Sequence, residues 1–384
     1  MSLPPLSLYV HLPWCVRKCP YCDFNSHSAG DGAPRDRYIA ALLADLDAEV
    51  QRANNRPLVS VFLGGGTPSL FPPADIAQLI DGIEQRFELA PNAEITMEAN
   101  PGTVECGDPA GYRAAGINRL SIGAQSFNAA MLKRLGRIHS VEDIARATKE
   151  ARAAGFDNFN IDIMYALPEQ SIAAALEDLR AAGDLQPAHI SWYQLTLEPN
   201  TVFHARPPAG LPDNDASYDM QLAGQELLAT MGYEQYEISA YARSDELRSV
   251  HNLNYWTFGD YLAVGAGAHG KVTGDDRVHR YQKPANPLNY METLEQGAAA
   301  PLLTTLDEGE LVFEFMLNAL RLRDGFATAD FAARTGLPAE RLAGELARVR
   351  QKGLLEEVSG GFWRATELGQ RFLNDLQAEF LPRA

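Results

Sequence analysis

Short apolar runs alternate with stretches of helical apolar spacing over the first two thirds of this chain of 384 residues. Such runs, separated by amphipathic helices, are typical of parallel strands joined by right-handed crossovers. The pattern predicts six strands, at residues 7–10, 59–63, 94–98, 119–123, 159–164 and 189–195. It predicts helices between them at residues 36–51, 74–87, 108–115, 141–154 and 171–182. We therefore expect a parallel sheet covered by helices.

Polar and glycine residues gather where the predicted strands end. A glycine run follows the second strand, and Glu98, Gln125 and Asp162 lie at the ends of the third, fourth and fifth. Barrel-type α/β enzymes place their chemistry at this edge of the sheet. The predicted fold class is α/β, with a partial, TIM-like (β/α)6 barrel. Two Rossmann halves are the alternative, although no G-x-G-x-x-G sequence follows the first strand.

The pattern changes in the last third of the chain. Helical spacing recurs at residues 217–231, 306–322, 327–335 and 338–351, followed by a hairpin pattern at 354–364 and a helix at 367–380. Helices followed by a hairpin indicate a small α+β domain that resembles a winged helix. We predict a barrel in residues 1–240, a connecting segment in 241–304 and this C-terminal domain in 305–384.

The charge balance narrows the possible partners. Lys and Arg number 33 against 50 Asp and Glu, giving a net charge of −17. Because binding along a phosphate backbone needs clustered cations, we predict no nucleic-acid partner. For the C-terminal domain we therefore predict a scaffold or partner-binding role and not DNA binding. No apolar run reaches the roughly 18–20 residues of a membrane span, and no secretory signal is visible. We expect a soluble, cytoplasmic protein.

Three cysteines near the N-terminus carry the strongest chemical pattern. Cys15, Cys19 and Cys22 are spaced C-x3-C-x2-C, close enough to converge on one metal centre. Three thiolates on a four-iron cubane leave one iron open for a substrate or cofactor. Phe24 occupies the next position at which a fourth thiolate is expected, and Cys106 lies far away in sequence. These three cysteines are the predicted metal ligands.

The cysteines have two other interpretations. A disulfide framework does not suit four cysteines in 384 residues without a secretory signal. Structural zinc needs a fourth ligand, which His11 or His27 can supply, but zinc sites usually pair two C-x2-C units. The open iron–sulfur cluster is the favoured interpretation.

The cysteine motif, with the aromatic Tyr21 before its last cysteine, resembles that of radical S-adenosylmethionine (SAM) enzymes. In that superfamily the methionine end of SAM chelates the open iron, and an electron from the cluster splits a carbon–sulfur bond. The resemblance implies a [4Fe–4S] cluster and SAM as cofactors. It also implies that the glycine run at 64–68 receives the methionine amine. From its chemistry alone, that run is equally a tight strand-to-helix turn.

More specifically, the chain resembles the oxygen-independent coproporphyrinogen III oxidase-like (HemN) family. The run at residues 9–15, the Gly-Gly-Gly-Thr-Pro turn and the sequence at 125–127 match it. Phe24 in place of a fourth cysteine and an H-N-x-x-Y-W motif at 251–256 match its heme-chaperone branch. The cofactor contacts that this resemblance implies are Tyr9, Tyr21, Gly65, Gly66, Thr67, Glu98, Gln125, Arg137, Asp162 and His251.

Individual side chains support these roles, each with a structural alternative. The two acceptor oxygens of Glu98 suit a ribose diol or an ammonium group, but a surface carboxylate is equally ordinary. Imidazole is the commonest axial ligand of heme iron, and Tyr255 and Trp256 can flank a flat macrocycle. The alternative for His251 is a histidine packed inside an aromatic cluster. His269 is a second heme-ligand candidate or part of a glycine-rich turn.

The resemblance implies a heme chaperone that transfers heme to client proteins. Respiratory and membrane-associated proteins are the candidate clients, and the chaperone is expected to use an electron donor. A coproporphyrinogen III dehydrogenase acting by radical SAM chemistry is the alternative, so the prediction leaves open whether the protein is an enzyme. A plain redox or iron-sensing module is a third possibility. The three differ in whether the protein binds SAM and whether it converts a porphyrinogen.

Overall fold

The apolar runs lie side by side in one large sheet in the computed structural model, which describes residues 3–30, 32–102, 107–274, 277–297 and 301–382. The strands are β1 (Leu6–Leu12), β2 (Trp14–Cys15), β3 (His27–Ser28), β4 (Leu58–Gly65), β5 (Leu89–Ala99), β6 (Arg119–Gln125), β7 (Phe159–Tyr165), β8 (His189–Gln194), β9 (Glu234–Glu237), β10 (Ala240–Ala242), β11 (Asp260–Val264), β12 (His269–Thr273), β13 (Val278–Gln282), β14 (Thr304–Thr305), β15 (Phe326–Ala327), β16 (Leu355–Ser359) and β17 (Phe362–Ala365). The helices are α1 (Arg35–Ala53), α2 (Pro73–Glu84), α3 (Pro109–Ala114), α4 (Ala129–Arg134), α5 (Val141–Ala153), α6 (Ile172–Asp184), α7 (Val202–Ala205), α8 (Asn214–Thr230), α9 (Val250–Trp256), α10 (Pro287–Glu295), α11 (Glu308–Ala319), α12 (Thr328–Thr335), α13 (Ala343–Gln351), α14 (Glu367–Arg371) and α15 (Leu373–Ala378).

All six predicted strands pair in parallel, in the order β1-β4-β5-β6-β7-β8. A seventh parallel strand that the sequence pattern did not indicate, β11, lies on the other side of β1. Antiparallel strands extend both edges, so the sheet runs from β14 to β9 without closing in the described part of the chain. The α/β fold class is confirmed, as an open mixed sheet with a partial parallel barrel.

Alternation along the strands separates a helix-covered face from a polar concave face. Leu6, Leu8 and Val10 of β1 are fully buried in the main core, while the intervening Ser7 and Tyr9 lie on the opposite face. The Ser7 hydroxyl accepts a hydrogen bond from Ser60 on β4, at 2.7 Å. The concave face therefore carries the polar residues. The carboxyl ends of the parallel strands form one edge of this face.

The C-terminal domain has its own core around Phe315, Phe331 and Trp363. Helix α11 begins with a capping box in which the side chains of Asp307 and Glu310 each accept from the other's backbone N–H. Three short strands pair in the order β15-β17-β16. The predicted helix at 367–380 is two helices, since Phe372 has φ −111° and ψ 47°, outside the helical region.

The predicted boundaries at residues 240 and 304 stay a prediction. Strands β11 to β13, from the predicted connecting segment, continue the main sheet. Among the described residues, no helix has both the length and the apolar character required to cross a membrane.

Candidate cofactor site

A cavity of about 260 Å³ opens at the carboxyl ends of the parallel strands. Of the predicted site residues, all except Tyr9 and His251 line it. Those in the lining are Cys15, Cys19, Tyr21, Cys22, Gly65, Gly66, Thr67, Glu98, Gln125, Arg137 and Asp162. Parallel pairing explains the convergence, because it brings every strand's carboxyl end to one edge.

The cysteines lie on a loop that local backbone hydrogen bonds hold in shape. Cys15 ends β2, which pairs in parallel with β3 just after the loop. The N–H of Cys22 donates to the carbonyl of Cys19 at 3.2 Å, and the Lys18 ammonium donates to the carbonyl of Phe24 at 3.0 Å. Phe24, in the predicted fourth-thiolate position, is 57% exposed and lines the cavity.

Two side chains donate hydrogen bonds to cysteine sulfurs. The Thr67 hydroxyl lies 3.5 Å from Sγ of Cys15, and Nη1 of Arg137 lies 3.6 Å from Sγ of Cys19. Such donors favour the thiolate, which is the form that binds metal, whereas burial raises the pKa of Cys22. The described residues contain no preassembled metal-ligand group of three His, Cys, Asp or Glu side chains. The donor set and the shared cavity fit an iron–sulfur cluster.

The glycine turn after β4 packs directly against the start of the cysteine loop. Gly65 has φ +116°, and a Cβ there would lie 2.4 Å from the ring of His11. A Cβ on Gly66 would lie 2.6 Å from the carbonyl oxygen of Trp14. Only glycine permits these close approaches, of Gly65 to the His11 ring and of Gly66 to the Trp14 backbone, so the turn both fixes the loop and presents its own backbone to the cavity.

Two half-buried carboxylates, Glu98 and Asp162, line the cavity. Burial and the neighbouring Asp162 raise the pKa of Glu98 to about 7, while the Gly65 N–H, 3.0 Å from Oε2 of Glu98, opposes the shift. Burial also raises the pKa of Asp162, although Asn160 and Ser121 donate hydrogen bonds to it at 2.8 and 3.0 Å. A cationic ligand between them would favour ionisation of both.

Arg137 is the cation held beside these groups. Its Nη2 donates to Oδ1 of Asn100 at 2.6 Å and to the carbonyl of Gly123 at 3.0 Å, while Nη1 points to Cys19. The guanidinium therefore spans from the cysteine loop to the end of β6. A fixed guanidinium at this position suits a carboxylate ligand, because its planar donors match two oxygens.

Gln125 ends β6 in a strained conformation. Its φ is +68°, which is uncommon for a residue other than glycine and clusters at functional sites. The hydroxyl of Tyr193 on β8 donates to Oε1 of Gln125 at 2.6 Å. Tyr193, Asn100 and Ser121 also line the cavity but were not predicted. Strand alternation, which puts Ser121 and Gly123 on the same face, was the available signal for Ser121.

Tyr9 lies one layer below the cavity and supports its wall. Its hydroxyl donates to Nδ1 of His11 at 2.9 Å, and Nε2 of His11 donates to the carbonyl of Asn25 at 2.9 Å. Burial lowers the pKa of His11, which keeps the ring neutral, as this donor–acceptor arrangement requires. The chain Tyr9–His11–Asn25 thus ties β1 to the cysteine loop, next to Gly65.

His251 is packed inside an aromatic cluster. Its ring centroid lies 4.8 Å from Phe62 and 4.9 Å from Tyr255, and its Nδ1 lies 3.1 Å from the Ser60 hydroxyl. The side chain is 4% exposed, and burial lowers its pKa to about 3, so the imidazole is neutral. Glu94 accepts hydrogen bonds from the His251 N–H and its neighbours, which fixes the start of α9. The heme role of His251 stays a prediction.

The fold and this site define a radical SAM protein. The model of the Radical SAM superfamily matches residues 9–182, and that of the HemN C-terminal domain matches residues 306–372. A solved structure of Escherichia coli coproporphyrinogen III oxidase (HemN), a radical SAM enzyme, has a TM-score of 0.82 at 23% identity, covering 98% of this chain and 90% of that one. The superfamily implies a [4Fe–4S] cluster and SAM as cofactors.

Full-length relatives identify the family more narrowly. Heme chaperone HemW of Escherichia coli is 48% identical over 382 residues, 99% of each chain. Heme chaperone HemW of Haemophilus influenzae is 46% identical, again over 99% of each chain. A mouse protein, radical S-adenosyl methionine domain-containing protein 1, mitochondrial, is 36% identical over 82% of this chain and 73% of its own. The chain belongs to the HemW family, which confirms the predicted resemblance.

Replacing Cys15, Cys19 or Cys22 by alanine is expected to abolish cluster assembly, because each change removes one of three thiolate ligands. Iron and acid-labile sulfide measured after anaerobic reconstitution test this. Cys106→Ala is the matched control and should retain the cluster; Cys106 lies outside the described residues. A cluster lost in the control and kept in the other variants would show that the ligands are misassigned.

SAM affinity is expected to rise with pH through about 7, the pKa to which Glu98 is raised. Below that pH the Glu98 carboxyl is protonated and attracts the positive charge of SAM less, so affinity should fall by up to about tenfold per pH unit. Glu98→Gln should bind SAM more weakly and without this pH dependence. Equilibrium dialysis from pH 5.5 to 8.5, roughly 1.5 units either side of the pKa, measures the SAM affinity of the reconstituted protein and of the variant. An unchanged profile in the variant would contradict the assignment.

Proposed function

We propose that this protein is a cytoplasmic heme chaperone that binds a [4Fe–4S] cluster and SAM and transfers heme to client proteins. Its likeness to heme chaperones over 99% of their length carries the proposal. Phe24 supports it, because the resemblance places a fourth cysteine at this position in the dehydrogenase but not in the chaperone branch. The small number of cysteines is consistent with a reducing compartment.

Within this proposal the cavity at the strand ends holds the cluster and SAM. Cys15, Cys19 and Cys22 bind the cluster, which when present supplies an open iron for the methionine end of SAM. Arg137 is placed to pair with a carboxylate, and Glu98 with an ammonium group or a ribose diol. The backbone of Gly65, Gly66 and Thr67 receives the amine. Tyr21, Gln125 and Asp162 complete the lining.

Tyr9 acts indirectly in this proposal. It lies outside the cavity lining and contacts it through His11, whose ring would collide with any Cβ on Gly65. Its role is to keep the neutral His11 ring oriented between the glycine turn and the cysteine loop. Respiratory and membrane-associated proteins are the proposed clients, and a separate protein is the proposed electron donor.

Conversion of coproporphyrinogen is the second candidate function, since the fold matches that of HemN with a TM-score of 0.82. Reconstituted protein incubated with SAM, reductant and coproporphyrinogen III is expected to form no vinyl product, while hemin-loaded protein transfers heme to an apo-cytochrome. Chromatography of the porphyrins detects vinyl product, and absorption spectra of the apo-cytochrome detect heme transfer. Vinyl product without heme transfer would overturn the chaperone proposal.

His251→Ala is expected to weaken hemin binding while sparing the cluster, because His251 lies in the aromatic cluster below the cavity and not on the cysteine loop. Hemin titration followed at the Soret band, with iron and sulfide analysis, tests this. Ser60→Ala is the matched control: it removes the hydroxyl 3.1 Å from Nδ1 but leaves the imidazole. An unchanged titration in His251→Ala would refute a heme contact by this residue.

A further inference from the structure

A second, larger cavity lies away from the cofactor site, against strands β12 and β13 and helices α1 and α10. Its volume is about 720 Å³, within the roughly 300–1,000 Å³ of pockets that bind small molecules and cofactors. The first cavity is about 260 Å³ and is already assigned to the cluster and SAM. A heme-sized ligand therefore needs a different site, and this cavity has the volume for one.

The lining of the second cavity combines apolar surface with a histidine. Its apolar and aromatic members are Ala48, Tyr281, Pro284, Ala285, Tyr290, Leu294, Pro301 and Leu302. Leu302 is 93% exposed, so its side chain is left uncovered by the described residues. A flat macrocycle buries apolar area against such walls.

His269 is the metal-ligand candidate in this lining. Its side chain makes no hydrogen bond to other described residues, in contrast to those of His251 and His11, whose Nδ1 atoms are engaged. The residue is exposed, but partial desolvation of its ring, and then the nearby Arg280, lower the pKa of His269, which favours the neutral imidazole that can offer a lone pair to iron. It lies at the start of β12, and its backbone pairs with Gln282 on β13.

The cations of the cavity are already balanced. The buried Lys283 ammonium lies 2.5 Å from Asp45 and 2.7 Å from Glu49, and Nε of Arg280 donates to Glu314 at 2.9 Å. The cavity therefore supplies little net charge to attract propionates. Affinity would rest on apolar contact and one iron–nitrogen bond, which suits a protein that must release its cargo.

Hydrogen bonds and a ring contact connect this cavity to the cysteine loop and to helix α9. The amide Nδ2 of Asn25, on the cysteine loop, donates to the carbonyl of Ala266 at 2.9 Å and to that of Ala285, in the cavity lining, at 2.8 Å. On the other side, Arg280 donates to the Tyr261 hydroxyl, and the Tyr261 ring centroid lies 4.2 Å from that of Tyr255 in the H-N-x-x-Y-W helix.

We propose that heme binds in this second cavity with the imidazole of His269 as an iron ligand. The inference rests on the proposed heme-chaperone function and names the site that the function requires. The cysteine loop and helix α9 then support opposite parts of one heme site. Substitutions in α9, including at His251, reach the heme through Tyr255, Tyr261 and Arg280.

Hemin titration of the full-length, cluster-loaded protein tests the proposal. His269→Ala is expected to lose the Soret and electron paramagnetic resonance features of histidine ligation and to bind hemin at least tenfold more weakly. His279→Ala is the matched control, because this half-buried histidine lies on β13 beside the same sheet edge but not in the lining. It should titrate like the unchanged protein.

A second pair of variants tests the cavity without removing a ligand. Ala48 is exposed on α1 and lines the cavity, whereas Ala40 is exposed on the same helix outside the lining. Ala48→Trp fills the cavity and should weaken hemin binding at least tenfold, while Ala40→Trp should not change it.

The outcomes separate this inference from the proposed function. Hemin binding with histidine ligation that survives both His269→Ala and Ala48→Trp would overturn the second-cavity site and leave the chaperone function standing. Failure of the unchanged protein to bind hemin at all would contradict the proposed function itself.

Discussion

Parallel pairing of β1 with β4 through β8 is the constraint on which the rest of the structure depends. It brings six strand ends to one edge, so that residues more than a hundred positions apart in sequence share one cavity. The cysteine loop has little regular structure of its own and takes its position from this edge. The Gly65–Gly66 turn fits against His11 and Trp14 only because β1 and β4 are in register.

Charge burial on the concave face is the main electrostatic feature of the site. Glu98 and Asp162 both line the cavity; burial raises the pKa of each, and the charge of Asp162 adds to the shift of Glu98. Arg137 is occupied by Asn100, Gly123 and Cys19. In the proposed function, the cationic sulfonium of SAM would supply positive charge near the carboxylates, and Arg137 would pair with the carboxylate of SAM.

The six strands and the cavity lining could be predicted because each depends on a short stretch of sequence. Apolar runs predicted the strands, and the polar residues at or near their carboxyl ends included Glu98 and Gln125. Asp162 was predicted at a strand end but lies in the middle of β7, and it still lines the cavity. Strand β11 was missed because its partner β1 lies some 250 positions earlier, and a five-residue strand carries little periodic signal of its own. The hydrogen bond from Tyr193 to Gln125 likewise depends on the order of the folded strands.

His251 shows what local sequence does not determine. The H-N-x-x-Y-W motif indicated a functional segment but not a helix. The position of the His251 side chain depends on Glu94 of β5, which holds the start of α9, and on Ser60 and Phe62 of β4. Those contacts connect strands and helix over more than 150 positions in sequence. The second cavity was also outside the reach of sequence, since it forms where α1 and α10 meet β13.

The most direct test of the account is the electron paramagnetic resonance spectrum of the dithionite-reduced, anaerobically reconstituted protein before and after adding SAM. Three cysteine ligands and an open iron predict the signal of a reduced [4Fe–4S] cluster whose g values shift when SAM binds. A spectrum that does not respond to saturating SAM, or reconstituted protein with no cluster signal, would contradict the central claim.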